Sequence, residues 1–170
     1  MFRNVLLVRK QSSKISQPAL ARFLTRAQRA TRVRGTVNVL ITSARELRGL
    51  NRRYRGKDKP TDVLSFPAMP GSDNGVAGDI AIAAEIAAAN SRQFGHTPTD
   101  EVKILILHGL LHLAGYDHEC DDGQMSRREE RLRRELRLPA SLIERTVDNS
   151  AAVKRHRPAR SGSRGGKRNA

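Results

Sequence analysis

The stretch His108-Gly-Leu-Leu-His112-Leu-Ala-Gly115-Tyr-Asp-His118 places three of the five histidines of this 170-residue chain within eleven residues. His108 and His112 are one helical turn apart, so on a helix both imidazoles project from the same face. Gly115 suits a left-handed helix end, which would turn the chain and bring His118 to the same point. A lone histidine on an apolar helix is usually a hydrogen-bonded core residue. Three at this spacing predict one Zn²⁺ ion held by His108, His112 and His118, with the fourth position open.

The spacing is similar to the metzincin protease pattern H-E-x-x-H-x-x-G-x-x-H, with one departure. Gly109 stands where those proteases carry the glutamate that acts as general base. The usual peptidase mechanism therefore lacks its base at the expected place, which favours a substrate other than a peptide. A closed, cysteine-rich structural zinc site is excluded, because Cys120 is the only cysteine in the chain.

The first two histidines lie at the end of a predicted helix over residues 97–114. Thr97 is a suitable capping residue, Pro98 fits the first turn, and the acidic residues Asp100 and Glu101 suit the positive end of the helix dipole. The helix is apolar on all sides, a pattern typical of a buried helix. The sequence thus predicts a zinc site on a central helix and the loop that follows it.

The remaining segments predict an α+β fold, in which a small mixed four-stranded sheet is surrounded by about five helices. The predicted strands cover residues 4–8, 36–42, 61–66 and 78–83. The other predicted helices begin after Ser16, after Ser43, near Ala84 and near Gly123. Residues 54–60 and 69–77 are rich in Gly, Pro and polar residues and are predicted to be loops.

Composition indicates a single domain with an anionic partner. A chain of this length forms one core without disulfides, and we assign the domain to residues 1–140 and a basic, disordered tail to residues 141–170. The net charge is +15; seven of these charges lie in residues 151–170, which contain no acid, so residues 1–150 carry +8. This balance favours RNA as the partner, although a genome-wide compositional bias gives the same signal. Aromatic residues make up only 4% of the chain, so base-stacking platforms must be sparse.

The predicted location is the cytoplasm. One cysteine fits a reducing compartment, and no run of about 18 apolar residues is present to span a membrane. The first 45 residues are rich in Arg and Ser and contain no acid, as in a mitochondrial transit peptide. They also contain a predicted strand and an amphipathic helix that the fold needs. This favours retention of the segment over its removal as a transit peptide.

Four groups of residues together resemble the YbeY family, over roughly residues 2–138. They are Leu50-Asn51, Tyr54-Arg55-Gly-Lys57-Asp58-Lys-Pro60-Thr61-Asp62-Val-Leu64-Ser65-Phe66-Pro67, Gly78-Asp79-Ile80, and the stretch from His108 to His118. Met125 and Glu129 also match a methionine and a glutamate of that family. The basic tail lies outside the family pattern.

The resemblance implies a single-strand-specific, zinc-dependent endoribonuclease with a small mixed sheet and surrounding helices. It implies a role in ribosomal RNA processing, especially at the 3′ end of the small-subunit RNA, and in ribosome quality control. The implied partners are ribosomal RNA, the small ribosomal subunit and assembly factors. The metal ligands carried over are His108, His112 and His118, and Arg55 is the functional arginine.

Further residues have roles that the sequence leaves open. Arg55 is our candidate for a phosphate clamp, although on spacing alone it is a surface arginine in a charged loop. Asp79 is placed either to hydrogen-bond a ligand imidazole or orient water, or to form a turn. Lys57 and Lys59 hold flanking phosphates or nothing specific. Ser65 and Asp62 either line the cleft or pair within their strand.

Two alternative functions stay open on sequence grounds. One is a metalloprotease-like hydrolase without the usual base, against which Gly109 argues. The other is a non-catalytic ribosome-assembly factor with a structural zinc, against which the open coordination position argues.

Overall fold

The computed structural model describes residues 4–9, 14–69, 75–118 and 120–139, and in them the expected α+β fold is confirmed. The elements in chain order are β1 (Val5–Val8), α1 (Gln17–Thr31), β2 (Thr36–Thr42), α2 (Ala44–Arg55), β3 (Val63–Pro67), β4 (Val76–Ala83), α3 (Ala84–Phe94), α4 (Pro98–Leu113) and α5 (Gln124–Leu136). The predicted domain boundary, the predicted disorder of the tail and part of the predicted loop before β4 lie outside the described residues.

The four strands form one mixed sheet in the order β1-β2-β4-β3. Strands β1, β2 and β4 are parallel, whereas β3 runs antiparallel to β4 with Ser65 opposite Ile80. Parallel neighbours need long crossover connections, and α1 lies in the one between β1 and β2. Within the described part of the chain, β3 is an edge strand, so one of its sides faces away from the sheet.

Helix α4 is the centre of the core. Ten of its sixteen residues are buried, which confirms the prediction of a central, buried helix. It packs with α1 and α3 on the sheet face formed by Val37, Val39, Ile41, Ile80 and Ile82. Although α4 is apolar on all sides, no helix in the described residues is long and apolar enough to cross a membrane.

Gly109 lets α4 lie close against the sheet. A Cβ atom at this position would come within 2.9 Å of two carbons of the Ile80 side chain and 3.0 Å of Ser65 Oγ. The Ser65 hydroxyl donates a 3.4 Å hydrogen bond to the Gly109 carbonyl. A glutamate side chain therefore has no space here unless the helix and the sheet move apart.

Helix α2 extends further than the sequence predicts. Tyr54 and Arg55 were expected in a loop, but they form the last turn of α2. The helix ends at Gly56, which has a left-handed φ of 67°. Glycine adopts this conformation without steric cost, so the break comes at the glycine and not at the preceding charged residues.

The strand boundaries also shift from their predicted positions. Strand β4 starts at Val76 because this residue already pairs with Thr36 of β2, in a stretch that its glycines predicted to be a loop. Strand β3 starts only at Val63, the first residue that pairs with β4. Asp62 therefore precedes the strand, and only its carbonyl contacts the sheet, by accepting a 2.9 Å hydrogen bond from the Ala83 amide at the end of β4.

Replacing Gly109 by alanine is expected to destabilise the fold, because the added methyl group meets Ile80 and Ser65. Gly49→Ala is the matched control, since Gly49 lies in α2 with no neighbouring atom within 4 Å of where its Cβ would lie. Both substitutions gain the same intrinsic helix propensity. The variant at Gly109 should therefore be less stable than the control by about 1–3 kcal/mol in urea unfolding. Equal stability of the two variants would show that α4 has room at this position.

Candidate metal centre

Helix α4 ends in a Schellman turn that returns the chain toward the helix. The Gly115 amide donates to the His112 carbonyl at 3.0 Å, and the Tyr116 amide donates to the Leu111 carbonyl at 3.1 Å. Gly115 has a φ of 91°, which favours glycine. The predicted reversal at Gly115 is confirmed, and it brings His118 beside the end of α4.

The three histidines converge on one point. Each offers a ligand atom, and these atoms all lie within 4.8 Å of one another. The Nε2 atoms of His108 and His112 are 3.1 Å apart, whereas two nitrogens bound to one tetrahedral zinc ion lie about 3.3 Å apart. The cluster therefore fits a metal ion held by three imidazoles, with little movement of the two helical ligands.

Glu129 on α5 orients His108. The Glu129 side chain is 1% exposed, and its Oε2 lies 3.3 Å from Nδ1 of His108. A proton on Nδ1 is held by this carboxylate, which leaves the lone pair of Nε2 directed toward the other two histidines. The sequence placed Glu129 on the last helix without a role. The role comes from the packing of α5 against α4, which spacing along the chain does not contain.

His112 is held in the neutral form that a metal ligand needs. Burial lowers its pKa from 6.5 to about 4, and the neighbouring His108 and His118 lower it in the same direction. At neutral pH the imidazole therefore presents a free lone pair and no proton has to be displaced before a metal binds.

A cavity of about 690 Å³ opens beside the histidines, between the end of α4 and the edge strand β3. Of the other predicted site residues, Arg55 and Ser65 line this cavity. Arg55 reaches it from the last turn of α2 and Ser65 from β3. The structure thus brings a guanidinium to the cavity that holds the histidine cluster.

Three predicted site residues lie elsewhere. Lys57 and Lys59 are exposed in the loop after α2 and are not among the cavity residues, so their contacts with flanking phosphates stay a prediction. Asp79 accepts a 2.8 Å hydrogen bond from Asn38 on the opposite face of the sheet. The sequence left Asp79 either a contact with a ligand imidazole or water, or a place in a turn; the structure instead puts it within β4, where it bonds to Asn38. Because Ile80 faces the core, the alternation of β4 directs Asp79 away from the histidines.

In the part of the chain that the structure describes, two aspartates, Asp62 and Asp117, supply the carboxylates of the cavity wall. Burial raises the pKa of Asp62, and Nδ2 of Asn90 lies 3.5 Å from its Oδ2. The sequence allowed Asp62 either to line the cleft or to pair within its strand, and in the structure it lines the cavity. The sequence indicated no separate role for Asp117, and the turn at the end of α4 brings it into the cavity wall.

The loop after α2 is tied back to that helix. Arg48 donates two parallel hydrogen bonds of 2.7 and 3.1 Å to Asp58, and these bonds lower the pKa of Asp58. The buried side chain of Asn51 donates a 2.9 Å hydrogen bond to the Lys59 carbonyl. Both contacts fix the path from α2 to β3, and with it the spacing of the two walls that carry Arg55 and Ser65.

The family model described as Endoribonuclease YbeY matches residues 4–137. The chain belongs to the YbeY family. The YbeY endoribonuclease of Koribacter versatilis is 54% identical over 143 residues, which are 84% of this chain and 92% of that protein. That of Solibacter usitatus is 47% identical over 138 residues, 81% of this chain and 90% of that protein. The solution structure of a Thermotoga maritima protein is 30% identical, with a TM-score of 0.56 and coverage of 95% of this chain and 100% of that one.

The YbeY family match confirms the resemblance read from the four motifs. It spans the sheet, all five described helices and the histidine cluster, and it ends at residue 137. The basic segment over residues 151–170 lies beyond the match, in agreement with the sequence reading.

The stability of the metal-free protein is expected to fall as the pH is lowered from 6.5 toward 4. In the unfolded chain His112 takes up a proton near its ordinary pKa of 6.5, whereas in the folded protein its pKa is about 4. The unfolded state binds more protons in this window, so acid favours it. Thermal melts of chelator-treated protein measure the slope, and His112→Gln should remove part of it. An unchanged slope in the variant would contradict the assignment to His112.

Glu129→Gln is expected to weaken zinc binding about 10- to 100-fold, because the neutral amide holds the Nδ1 proton of His108 less strongly. Competition with a chromophoric chelator measures the affinity. Glu130→Gln is the matched control, since Glu130 lies on the same helix and pairs with Arg134 at the surface. The role of Glu129 is refuted if both variants bind zinc with the affinity of the wild type.

Proposed function

We propose that this protein is a zinc-dependent endoribonuclease that cuts single-stranded RNA. The observation that carries the proposal is the presence of three converging histidines and the Arg55 guanidinium in one cavity. Membership of the YbeY family supports it, since the curated relatives are named endoribonucleases.

His108, His112 and His118 would hold the zinc ion. A zinc ion bound by three imidazoles supplies a Lewis acid that activates water and polarises a phosphoryl oxygen. Glu129 holds the Nδ1 proton of His108 on the far side of the ring. His112, with its lowered pKa, stays unprotonated at neutral pH.

Arg55 acts on the phosphate. Cleavage of a phosphodiester builds negative charge on its non-bridging oxygens, and a planar guanidinium binds two such oxygens at once. Because Arg55 lines the histidine cavity, its charge is available at the reacting phosphate. Gly109 leaves α4 without the glutamate of a protease. Among the described residues, Asp62 and Asp117 are the carboxylates of the cavity wall that can accept a proton.

RNA is a better substrate for this cavity than a peptide. Residues 1–150 carry +8 even without the seven basic residues of segment 151–170, and this charge attracts a polyanion. The close packing at Gly109 also removes support for the metalloprotease alternative, because the general base of that mechanism has no place on the helix.

We further propose that the substrate is ribosomal RNA, with processing of the 3′ end of the small-subunit RNA and ribosome quality control as the cellular roles. These roles rest on the family resemblance. They imply contact with the small ribosomal subunit and its assembly factors, and a cytoplasmic location. Depleting the protein from its host should lead to small-subunit RNA with unprocessed 3′ ends, which wild-type protein corrects and His112→Ala protein does not.

His112→Ala is expected to abolish cleavage of single-stranded RNA, whereas Arg55→Ala should lower kcat/KM about 10- to 100-fold with zinc still bound. The first variant loses a metal ligand, and the second loses only a charged hydrogen-bond donor. Zinc content by mass spectrometry and cleavage of a labelled RNA are measured together. Arg92→Ala is the control, since Arg92 is exposed on α3 and does not line the cavity.

Equal cleavage by wild-type protein and by zinc-free His112→Ala protein would refute the nuclease assignment and leave the assembly factor with a structural zinc. The ends of the products identify the nucleophile. A 2′,3′-cyclic phosphate indicates attack by the RNA 2′-hydroxyl, and a 5′-phosphate paired with a 3′-hydroxyl indicates direct attack by water.

A further inference from the structure

Among the Phe and Tyr residues that the structure describes, Tyr54 is the one with an exposed side chain. The other four, Phe23, Phe66, Phe94 and Tyr116, are buried or half-buried. Tyr54 lies at the end of α2 and is 59% exposed, whereas the nearby apolar residues Leu50 and Phe66 are half-buried. A single exposed apolar side chain is common on protein surfaces, but this ring lines the histidine cavity and is contacted by Phe66, which points to a binding surface.

The ring of Tyr54 is oriented by its neighbours. Phe66 of β3 contacts it with the ring centroids 5.3 Å apart and the planes at 66°, an edge-on arrangement that favours one orientation of the pair. The Arg53 guanidinium lies 5.4 Å from the centroid of the Tyr54 ring. The guanidinium thus covers part of one face of the ring in a cation–π contact, while the Tyr54 side chain stays 59% exposed.

Tyr54 and Phe66 also join two cavities. Both line the cavity of the histidines, and both line a second cavity of about 530 Å³ on the opposite face of the sheet. The second cavity is mostly apolar, with Leu7, Leu40 and Leu50 in its wall. Because β3 lies at one edge of the sheet formed by the described strands, an RNA chain bound at the histidines can pass over this edge and reach the sheet face at Tyr54.

We propose that Tyr54, supported by Phe66, is a stacking site for an unpaired nucleobase of the RNA, next to the phosphate bound by Arg55. The proposal rests on the proposed nuclease function and names how its substrate is held. Tyr54 and Arg55 are consecutive and line the same cavity, so the base and the phosphate they contact belong to neighbouring nucleotides. A nucleobase has an apolar face for the ring, and its phosphate has the charge that Arg53 attracts.

This site explains a preference for single-stranded RNA. Bases in a duplex are stacked on each other and paired, so their faces are not available to a protein ring. Only a nucleotide released from a helix can place its base on Tyr54. The contact is to the face of the base, and it therefore selects for unpaired structure with little selection for sequence.

The test measures coupling between the ring and one base. The RNAs are single strands of about 12 nucleotides, each with one base removed. They are bound to zinc-loaded protein at low temperature, and fluorescence anisotropy gives the Kd of each. With the wild type, removing the base at one position should weaken binding about 5- to 150-fold. Tyr54→Phe should show the same loss, because the ring is kept. With Tyr54→Leu the complete RNA should bind weakly, and removing that base should have little further effect.

Phe94→Leu is the matched control, since Phe94 is half-buried and lines neither cavity. It should retain the wild-type sensitivity to the missing base. The stacking site is overturned if Tyr54→Leu shows the full loss on base removal, or if no position is sensitive in the wild type. The latter result would assign the apolar cavity to some other partner.

Cleavage of the complete RNA is measured on the same samples, which separates the two proposals. RNA that is cut without coupling to Tyr54 refutes the stacking site and supports the nuclease. Coupling without cleavage by zinc-loaded wild type supports the stacking site and refutes the nuclease.

Discussion

The close contact between α4 and the sheet at Gly109 is the constraint on which the rest of the structure depends. A Cβ atom there would lie 2.9 Å from the Ile80 side chain, so the helix lies closer to the sheet than a residue with a side chain would permit without rearrangement. This distance sets the position of His108 one residue earlier, which is 5% exposed at the base of the cavity. The same contact removes the residue that a zinc protease needs. One packing requirement therefore positions His108 and leaves no glutamate at the place where the similar histidine pattern of zinc proteases has one.

The rest of the cluster geometry comes from the turn that follows α4 and from helix α5. The Schellman turn at Gly115 converts a separation of six residues between His112 and His118 into a contact between ring centroids at 5.2 Å. Further along, α5 returns to place the buried Glu129 against His108. A buried carboxylate needs a partner, and a ligand imidazole needs a fixed proton; each residue meets the need of the other.

The position of β3 at the edge of the sheet explains why the cluster lies in an open cavity and not in the core. A central strand would have another strand beside it, whereas here the free side is bordered by the end of α2 and the turn after α4. Arg55 and Tyr54 thus come to the same opening from one helical turn. The loop between α2 and β3 is held by Arg48, Asp58 and Asn51, so this arrangement is fixed by contacts of its own.

The sequence by itself determined most of the helices and strands and the convergence of the three histidines, because both depend on local spacing. A helical turn between His108 and His112, and a glycine that ends the helix, need no knowledge of distant residues. Long motifs likewise identified the family. Boundaries were less well predicted where a tertiary partner decided them: Val76 joins β4 because Thr36 lies beside it.

Only the tertiary structure decided which other residues share the cavity. Asp79 and Ser65 were equal candidates in the sequence, yet Asp79 bonds to Asn38 on one face while Ser65 reaches Gly109 on the other. The choice depends on which face of each strand meets α4, a property of the packed sheet and not of either segment. Glu129 and Tyr54 acquired their places in the same way, since each contacts the site across elements that are far apart in the chain.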